Sequence, residues 1–227
     1  MKKHALLSAS SAHRWLTCTP SARFEERLPE TISKAAEEGT AAHELAEYKL
    51  KKALGLKTKI ALPISVFFDR DMDTYTNDYV RFVMGCMPED GKEGLAYIEQ
   101  ELDLSSYVPE GFGTADCITV SGSKMHVIDL KYGRRTVEAK ENPQTRLYAL
   151  GALEYARVLF DIRSIQMTIF QPRLDNISTE YLEVKELVSW GQKVVVPRAW
   201  FAFMGYGEFK AGHHCNFCRA KAECRTY

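Results

Sequence analysis

Val127-Ile128-Asp129-Leu130-Lys131 is a short apolar run that carries an acid and a lysine two residues apart. Side chains alternate along a strand, so Asp129 and Lys131 point to one face. The arm before it, Gly113-Thr114-Ala115-Asp116-Cys117-Ile118-Thr119-Val120, carries a second acid, and Ser121-Gly122-Ser123-Lys124 is the turn region between the two. Opposed residues of an antiparallel pair share a face. A four-residue loop sets Val120 against Met125 and Asp116 against Asp129. A two-residue loop at Gly122-Ser123 keeps that register, and one shifted by a residue makes the acids diagonal neighbours. In each case Asp116, Asp129 and Lys131 share a face, whereas a three-residue loop would turn Asp116 away. The same residues also suit a plain amphipathic hairpin with surface charges.

Two acids side by side repel unless a cation joins them. Hard ions such as Mg²⁺ take one or two carboxylates and keep waters for a substrate phosphate. Such an ion polarises a phosphoryl oxygen and activates water. A lysine on the same face would orient that water or stabilise the charge that develops in the transition state.

Composition sets the limits. The 227 residues suffice for one sizeable domain with a small appendage, and 45% hydrophobic with 26% charged residues is ordinary for a soluble globular chain. Lys plus Arg equals Asp plus Glu at 30 each, so any nucleic-acid site must be a local patch. No apolar run approaches the ~18 residues of a membrane span. The apolar run after Met1-Lys2-Lys3-His4 stops at Ser8, too short for a signal peptide core, which predicts a cytoplasmic protein. In a reducing compartment the 6 cysteines suggest metal ligation before disulfides.

Around the hairpin, a short helix is expected to follow the caps Ser8 to Ser11 and end near Cys18. Residues 34 to 54 read as a helix in which Gly39-Thr40 is a possible true start, with His43 and Glu47 on one face. Lys49, Lys51, Lys52, Lys57 and Lys59 follow, either as a solvated helix end or as a phosphate contact. Residues 66 to 87 read as a helix with a buried stripe of Val66, Phe67, Tyr75, Tyr79, Phe82, Val83 and Met87; Pro88-Glu89-Asp90-Gly91 is a turn. On the strand Leu95 to Leu104, alternation puts Tyr97, Glu99, Glu101 and Asp103 on one side and Ala96, Ile98 and Leu102 on the other.

After the basic turn Tyr132-Gly133-Arg134-Arg135, Asn142-Pro143 starts a helix with a cap and a first-position proline. Gln144 and Tyr148 share one of its faces, and Leu147, Leu150 and Leu153 form its packed side. Ser164 to Gln171 and Tyr181 to Val184 read as hairpin strands. Residues 185 to 204 read as a helix disturbed near Gly191 and Pro197, with Trp190, Trp200, Phe201 and Phe203 in the core. Cys215-Asn216-Phe217-Cys218 and Cys224 hold three thiols within ten residues. A zinc ion or iron–sulfur cluster needs four ligands. The fourth is to come from His213, His214 or another thiol. Cys86 and Cys117 lie in core-like contexts, which favours Cys18.

The ordered set Cys18, His43, a strand acid, Asp116, Asp129-Leu130-Lys131, Gln144-Thr145-Arg146-Leu147-Tyr148, then Cys215, Cys218 and Cys224 resembles the RecB-like branch of the PD-(D/E)xK nucleases. It is most similar to the iron–sulfur members, among them CRISPR-associated RecB-like exonucleases and the AddB nuclease domain. The wording around Gly113-Thr114-Ala115-Asp116 and Asn142-Pro143-Gln144 resembles an uncharacterised phage and prophage family. The resemblance runs from Cys18 to Cys224, and only the ordered set is specific, since an acid-x-lysine is common by chance.

What the resemblance implies is an α/β fold with a restriction-endonuclease-like core: a central mixed sheet flanked by helices and closed by a four-cysteine metal cluster. Residues 1–227 would form a single nuclease domain, with Cys18 and the 213–227 segment making the closure and any further C-terminal region of relatives lying beyond Tyr227. His43, Asp116 and Asp129, with the Leu130 carbonyl, would bind Mg²⁺ or Mn²⁺. Lys131 would be the catalytic lysine, and Gln144 and Tyr148 would hold DNA and that lysine. Glu99 fits the family's strand glutamate best, with Glu101 as the alternative. Cys18, Cys215, Cys218 and Cys224 would bind a [4Fe–4S] cluster, with structural Zn²⁺ as the alternative. The implied activity is metal-dependent exonucleolytic cleavage of single- or double-stranded DNA ends in phage recombination or DNA processing, beside a recombinase or single-strand-binding protein. The rival is a non-catalytic DNA-binding protein, zinc-stabilised, contacting DNA through Lys49–Lys59 and Arg134–Arg135.

Overall fold

Ser121 pairs with Lys124, so only Gly122 and Ser123 turn the hairpin, and Gly122 takes the left-handed φ of +56° that such a tight turn needs. This is the two-residue loop that keeps Asp116 in register with Asp129. The computed structural model describes residues 5–29, 33–56, 62–87 and 94–227. The expected turn at Pro88-Glu89-Asp90-Gly91, together with Lys57 and Lys59, lies outside the described residues.

Five strands form one mixed sheet in the order β1 (Gly94–Asp103), β2 (Phe112–Ser121), β3 (Lys124–Leu130), β4 (Ser164–Gln171) and β5 (Asn176–Glu183). All neighbours are antiparallel except β3 and β4. A parallel pair needs a crossover, and α5 (Pro143–Ala156) supplies it. This α/β arrangement matches the expected class.

Each face of the sheet is covered. Leu147, Ala149, Leu150, Ala152 and Leu153 of α5 are all buried, and a helix apolar all round belongs inside a core. With them pack Leu102, Ala115, Ile118, Val120, Met125, Val127 and Trp15. Trp15 belongs to α1 (Ala12–Trp15), which is followed by α2 (Ser21–Glu26). On the other face α3 (Lys34–Ala53) and α4 (Arg70–Gly85) bury Leu50, Tyr79 and Val83 against Cys117, Ile128, Leu130 and Phe170.

Four expectations change. Helix α3 starts at Lys34, because Ser33 Oγ caps it by accepting Ala36 N–H at 3.2 Å; Gly39-Thr40 lies inside the helix. Helix α4 starts only after its Asp69 cap, so Val66 falls before it and is 96% exposed. The C-terminal helical stretch is disturbed where expected, as α6 (Val184–Trp190), a π turn at Gly191–Val195 and α7 (Val196–Met204), but its packing differs. Pro197 has no N–H to continue the ladder, and a Cβ at Gly191 would lie 2.7 Å from the Tyr107 ring. The shifted phase leaves Trp200 and Phe201 exposed, not in the core. The fourth change concerns the faces of β1.

Candidate active site

The site lies where the sheet splits. Pairing of β2 with β3 ends at Cys117↔Ile128, while β1 and β2 stay paired as far as Asp103↔Phe112. Just past the last β2–β3 pair, Asp116 Oδ2 accepts the Leu130 backbone N–H at 2.7 Å. A carboxylate thus takes the bond that a strand partner would have taken. N–H and C=O of one strand residue point to the same side, which aims the Leu130 carbonyl into the split as well.

Alternation reverses at this point in both β1 and β2. Ala115 and Ile118 face the same core although they are three apart, and so do Tyr97 and Leu102 although they are five apart. Ile98 packs in the opposite core. Glu99 and Asp116 are the facing residues between Ile98↔Cys117 and Gln100↔Ala115, and Glu99 has a φ of +50°. A left-handed glutamate costs roughly 1–3 kcal/mol and persists only where its surroundings hold it. This kink corrects the simple division of β1 into two faces. It brings Glu99 under α3 and leaves Glu101 exposed, paired with Thr114.

One ligand atom each of His43, Glu99 and Asp116 lies within 4.8 Å of the others, a possible metal-binding triad. His43 Nδ1 stands 3.2 Å from Asp116 Oδ1. Burial opposes a charged imidazole, but Asp116 and Asp129 outweigh it and lift His43 to about 9. Burial and the charge of Asp116 push Glu99 up to about 8, with His43 pulling the other way. Burial also works against Asp116, yet His43, Lys131 and the Leu130 N–H hold its carboxyl below the usual range.

Asp129, expected as a ligand beside His43 and Asp116, sets Oδ2 2.7 Å from Lys131 Nζ. It is 2% exposed, and among the described residues Oδ2 has no hydrogen-bond partner beyond that ion pair. Burial, with Asp116, raises its pKa against the pull of Lys131.

Helix α5 supplies the far wall. Asn142 Oδ1 accepts Gln144 N–H at 3.0 Å and Thr145 N–H at 3.4 Å, with Pro143 in the first turn. Gln144 Nε2 donates to Tyr148 Oη at 3.2 Å, so the pair that shares a face is also bonded. Burial, then Asp129, raises the Tyr148 phenol. A Cβ at Gly113 would lie 2.9 Å from the Tyr148 ring, so a glycine lets strand and tyrosine approach.

The four singled-out thiols share a cavity, although among the described residues no three of their sulfurs lie within 4.8 Å of one another, so the expected four-cysteine closure is not assembled. Cys18, Cys215, Cys218 and Cys224 line one small cavity with His214 and Lys210. Lys210 N–H points at Cys18 Sγ at 3.5 Å, and Cys215 Sγ lies 3.9 Å from Lys210 O. Burial raises the Cys18 thiol, and Cys215 and Cys224 add to it. His214 Nε2 is bonded to Lys210 O at 2.8 Å, which ties it to the chain that frames the cavity. Cys117 is buried in the sheet core, with Cys86 packed beside it.

A family model described as "Protein of unknown function (DUF2800)" matches residues 4–227. The chain belongs to the DUF2800 family. Among solved structures it is similar to a candidate exonuclease from Eubacterium rectale, at 12% identity over 97% of this chain and 88% of that one, with a TM-score of 0.48. It is also similar to an alkaline exonuclease from Laribacter hongkongensis, at 10% identity over 85% and 91% with a TM-score of 0.36. SSO0001 is similar at 14% identity over 92% and 95%, with a TM-score of 0.35.

Two features of this DUF2800 chain have no signal in periodicity. Tyr79 belongs to the buried stripe, yet it lines the cavity of His43, Glu99 and Asp116, and its hydroxyl has no partner among the described residues. The loop after Lys131 is fastened by distant side chains: Val137 N–H to Gln171 Oε1 at 2.7 Å, Ala139 N–H to Ser178 Oγ at 2.9 Å, and Glu141 N–H to Glu180 Oε1 at 2.9 Å. Of the sequence-derived basic cluster, Lys49 is bonded to Asp73 and Lys51 to Glu47, so both serve the helices that frame the site. Among the described residues no helix is long and apolar enough to cross a membrane.

Proposed function

We propose that this chain is a Mg²⁺- or Mn²⁺-dependent deoxyribonuclease that hydrolyses phosphodiester bonds at DNA ends. The observation that carries the reading is the convergence of His43, Glu99 and Asp116 in the sheet split beside the buried Asp129–Lys131 pair. The donor set suits a hard divalent cation: two carboxylates, of which Glu99 is driven up to about 8 by burial and by the charge of Asp116, with one imidazole. His43, Glu99 and Asp116 would hold the ion, with the Leu130 carbonyl and Asp129 at its border. Bound there, it would polarise the scissile phosphoryl group and activate water.

The chain's own groups do the remaining work. Lys131 Nζ, which neutralises Asp129, would donate to a phosphate oxygen as negative charge grows on it. Gln144 and Tyr148, bonded to each other on α5, would offer an amide and a phenol to the nucleotide and to the lysine. Exonucleolytic action, and a place in phage recombination or DNA processing, rest on the ordered motifs.

The test is digestion of end-labelled single- and double-stranded DNA with Mg²⁺ or Mn²⁺. Asp129→Ala should abolish cleavage and leave the circular dichroism spectrum unchanged. Full cleavage by that variant overturns the reading.

We further propose that Cys18, Cys215, Cys218 and Cys224 hold a [4Fe–4S] cluster joining the N-terminal helices to the C-terminal segment in one domain. The support is the shared cavity of four thiols and the Lys210 N–H aimed at Cys18 Sγ. Brown colour and broad visible absorption after anaerobic purification are expected. A colourless protein with stoichiometric zinc would refute the cluster.

A further inference from the structure

We propose that Phe217 and Arg135 form a stacking platform that grips an unpaired base of a single DNA strand whose backbone runs on to Lys131. The inference rests on the nuclease reading above. It begins with an exposed aromatic that packing does not explain: Phe217, between two of the cysteines, is 58% exposed. The Arg135 guanidinium lies over its ring, 5.2 Å from the centroid. His13 meets the ring edge-on at 6.2 Å, and Arg14 Nη1 holds the Phe217 carbonyl at 3.0 Å. One ring face is thus backed by a cation, and the backbone beneath it is fastened.

Arg135 is itself held in place. Its carbonyl accepts Gln171 Nε2 at 2.9 Å, in the same loop that Gln171, Ser178 and Glu180 fasten from β4 and β5. Arg135 makes no ion pair among the described residues, so its charge is not spent on a neighbouring carboxylate. A chain that keeps its loop rigid and its arginine unpaired has a preorganised contact for an anion.

Charge favours a nucleic-acid strand over a protein. The whole chain is neutral, yet the two segments that meet here are basic. Lys131, Arg134, Arg135 and Lys140 stand against Glu138 and Glu141, and Lys210, Arg219, Lys221 and Arg225 against Glu223. An aromatic face flanked by Arg accepts any base, at about 1–3 kcal/mol per base stacked. A duplex keeps its bases stacked on each other, so the platform selects single strands. Arg135 follows Lys131 by four residues, which limits the separation to about 14 Å. At about 3.4 Å per stacked nucleotide, the backbone between them spans at most about four nucleotides.

The experiment uses the full chain with Mn²⁺ and three substrates: a 20-nucleotide single strand, a blunt duplex of the same length, and thymidine 5′-(p-nitrophenyl phosphate). Phe217→Ala and Arg135→Ala should raise KM for the single strand about tenfold and leave kcat within about twofold. They should leave the nitrophenyl ester unaffected, since it is too short to reach the platform. Phe217→Trp should restore KM, and its fluorescence, taken as the difference from wild type, should be quenched when the single strand is added with Ca²⁺ in place of Mn²⁺. Equal KM values for Phe217→Ala and wild type on the single strand, or an equal rise on the nitrophenyl ester, overturn the platform while the nuclease reading stands. If the wild-type chain neither binds nor cleaves DNA, both fall.

Discussion

Asp116 Oδ2 accepts the Leu130 backbone N–H at 2.7 Å, while Oδ1 of the same carboxylate stands 3.2 Å from His43 Nδ1. One acid therefore ends the β2–β3 ladder and orders the histidine. Asp116→Asn keeps an oxygen for Leu130 and loses the charge. It should unfold at nearly the wild-type denaturant concentration and be inactive. Asp116→Ala leaves a Leu130 N–H without its partner and should cost about 1–3 kcal/mol in urea unfolding.

Glu99 holds strain for the sake of the site. With a φ of +50°, it occupies a conformation natural to glycine. Glu99→Gly should raise stability by about 1 kcal/mol or more and abolish cleavage. The gain should depend on pH. The folded-state pKa of Glu99 is raised from 4.5 to about 8, so the folded protein holds its proton longer than the unfolded chain. Wild-type stability from this group is therefore present below 4.5 and is lost as pH rises towards 8. The advantage of the glycine variant in metal-free protein should be larger at high pH than at low pH.

Lys131→Met leaves Asp129 buried without its ion pair. Removing one partner of a buried pair costs up to about 3–5 kcal/mol, less here because Lys131 is 25% exposed. The double variant Asp129→Asn, Lys131→Met should recover most of that stability and none of the activity. A thermodynamic cycle built from urea unfolding of the four proteins checks it.

Metal binding must displace protons. In the metal-free protein His43 is raised to about 9 and Glu99 to about 8, and ligands bind only when deprotonated. Mn²⁺ affinity should rise with pH through that range and level off above it. Calorimetry at pH 7.5 in two buffers of different ionisation enthalpy should show proton release, and a pH-independent affinity would contradict the assignment.

His126 makes a separate acid-sensitive point in the sheet. Burial lowers it from 6.5 to about 4, and Nε2 lies 2.8 Å from Thr168 Oγ1. The unfolded chain takes up a proton below 6.5 that the folded chain refuses until about 4. Stability should fall across that window by about 3 kcal/mol. In His126→Gln the loss between pH 7 and pH 5 should shrink, measured by urea midpoints.

Much of the frame is legible from residues near one another. Asn142-Pro143 starts α5, Gly122-Ser123 turns the hairpin, and alternation sets Asp129 and Lys131 on one side of β3. The aromatic stripe of α4 is legible in outline, with Val66 overcounted because the cap at Asp69 outweighs hydrophobic period. Periodicity does not pick the acid in β1, because Glu99 and Glu101 are equivalent under strict alternation; the family resemblance alone favoured Glu99. Only a reversal in the backbone separates them.

By itself, then, the order of residues determined the strands, the helix starts and which acids and thiols were available, since these follow from torsional preference, capping and periods of a few residues. Tertiary structure decided which of them meet. His43 on α3, Glu99 on β1 and Asp116 on β2 converge because two strands reverse together at a split. Asp129 pairs with Lys131 because burial makes an unpaired carboxylate costly there. Phe217 reaches Arg135 because a loop fastened from β4 and β5 meets the cysteine segment. No local period encodes distances that long. They are set by how whole elements pack.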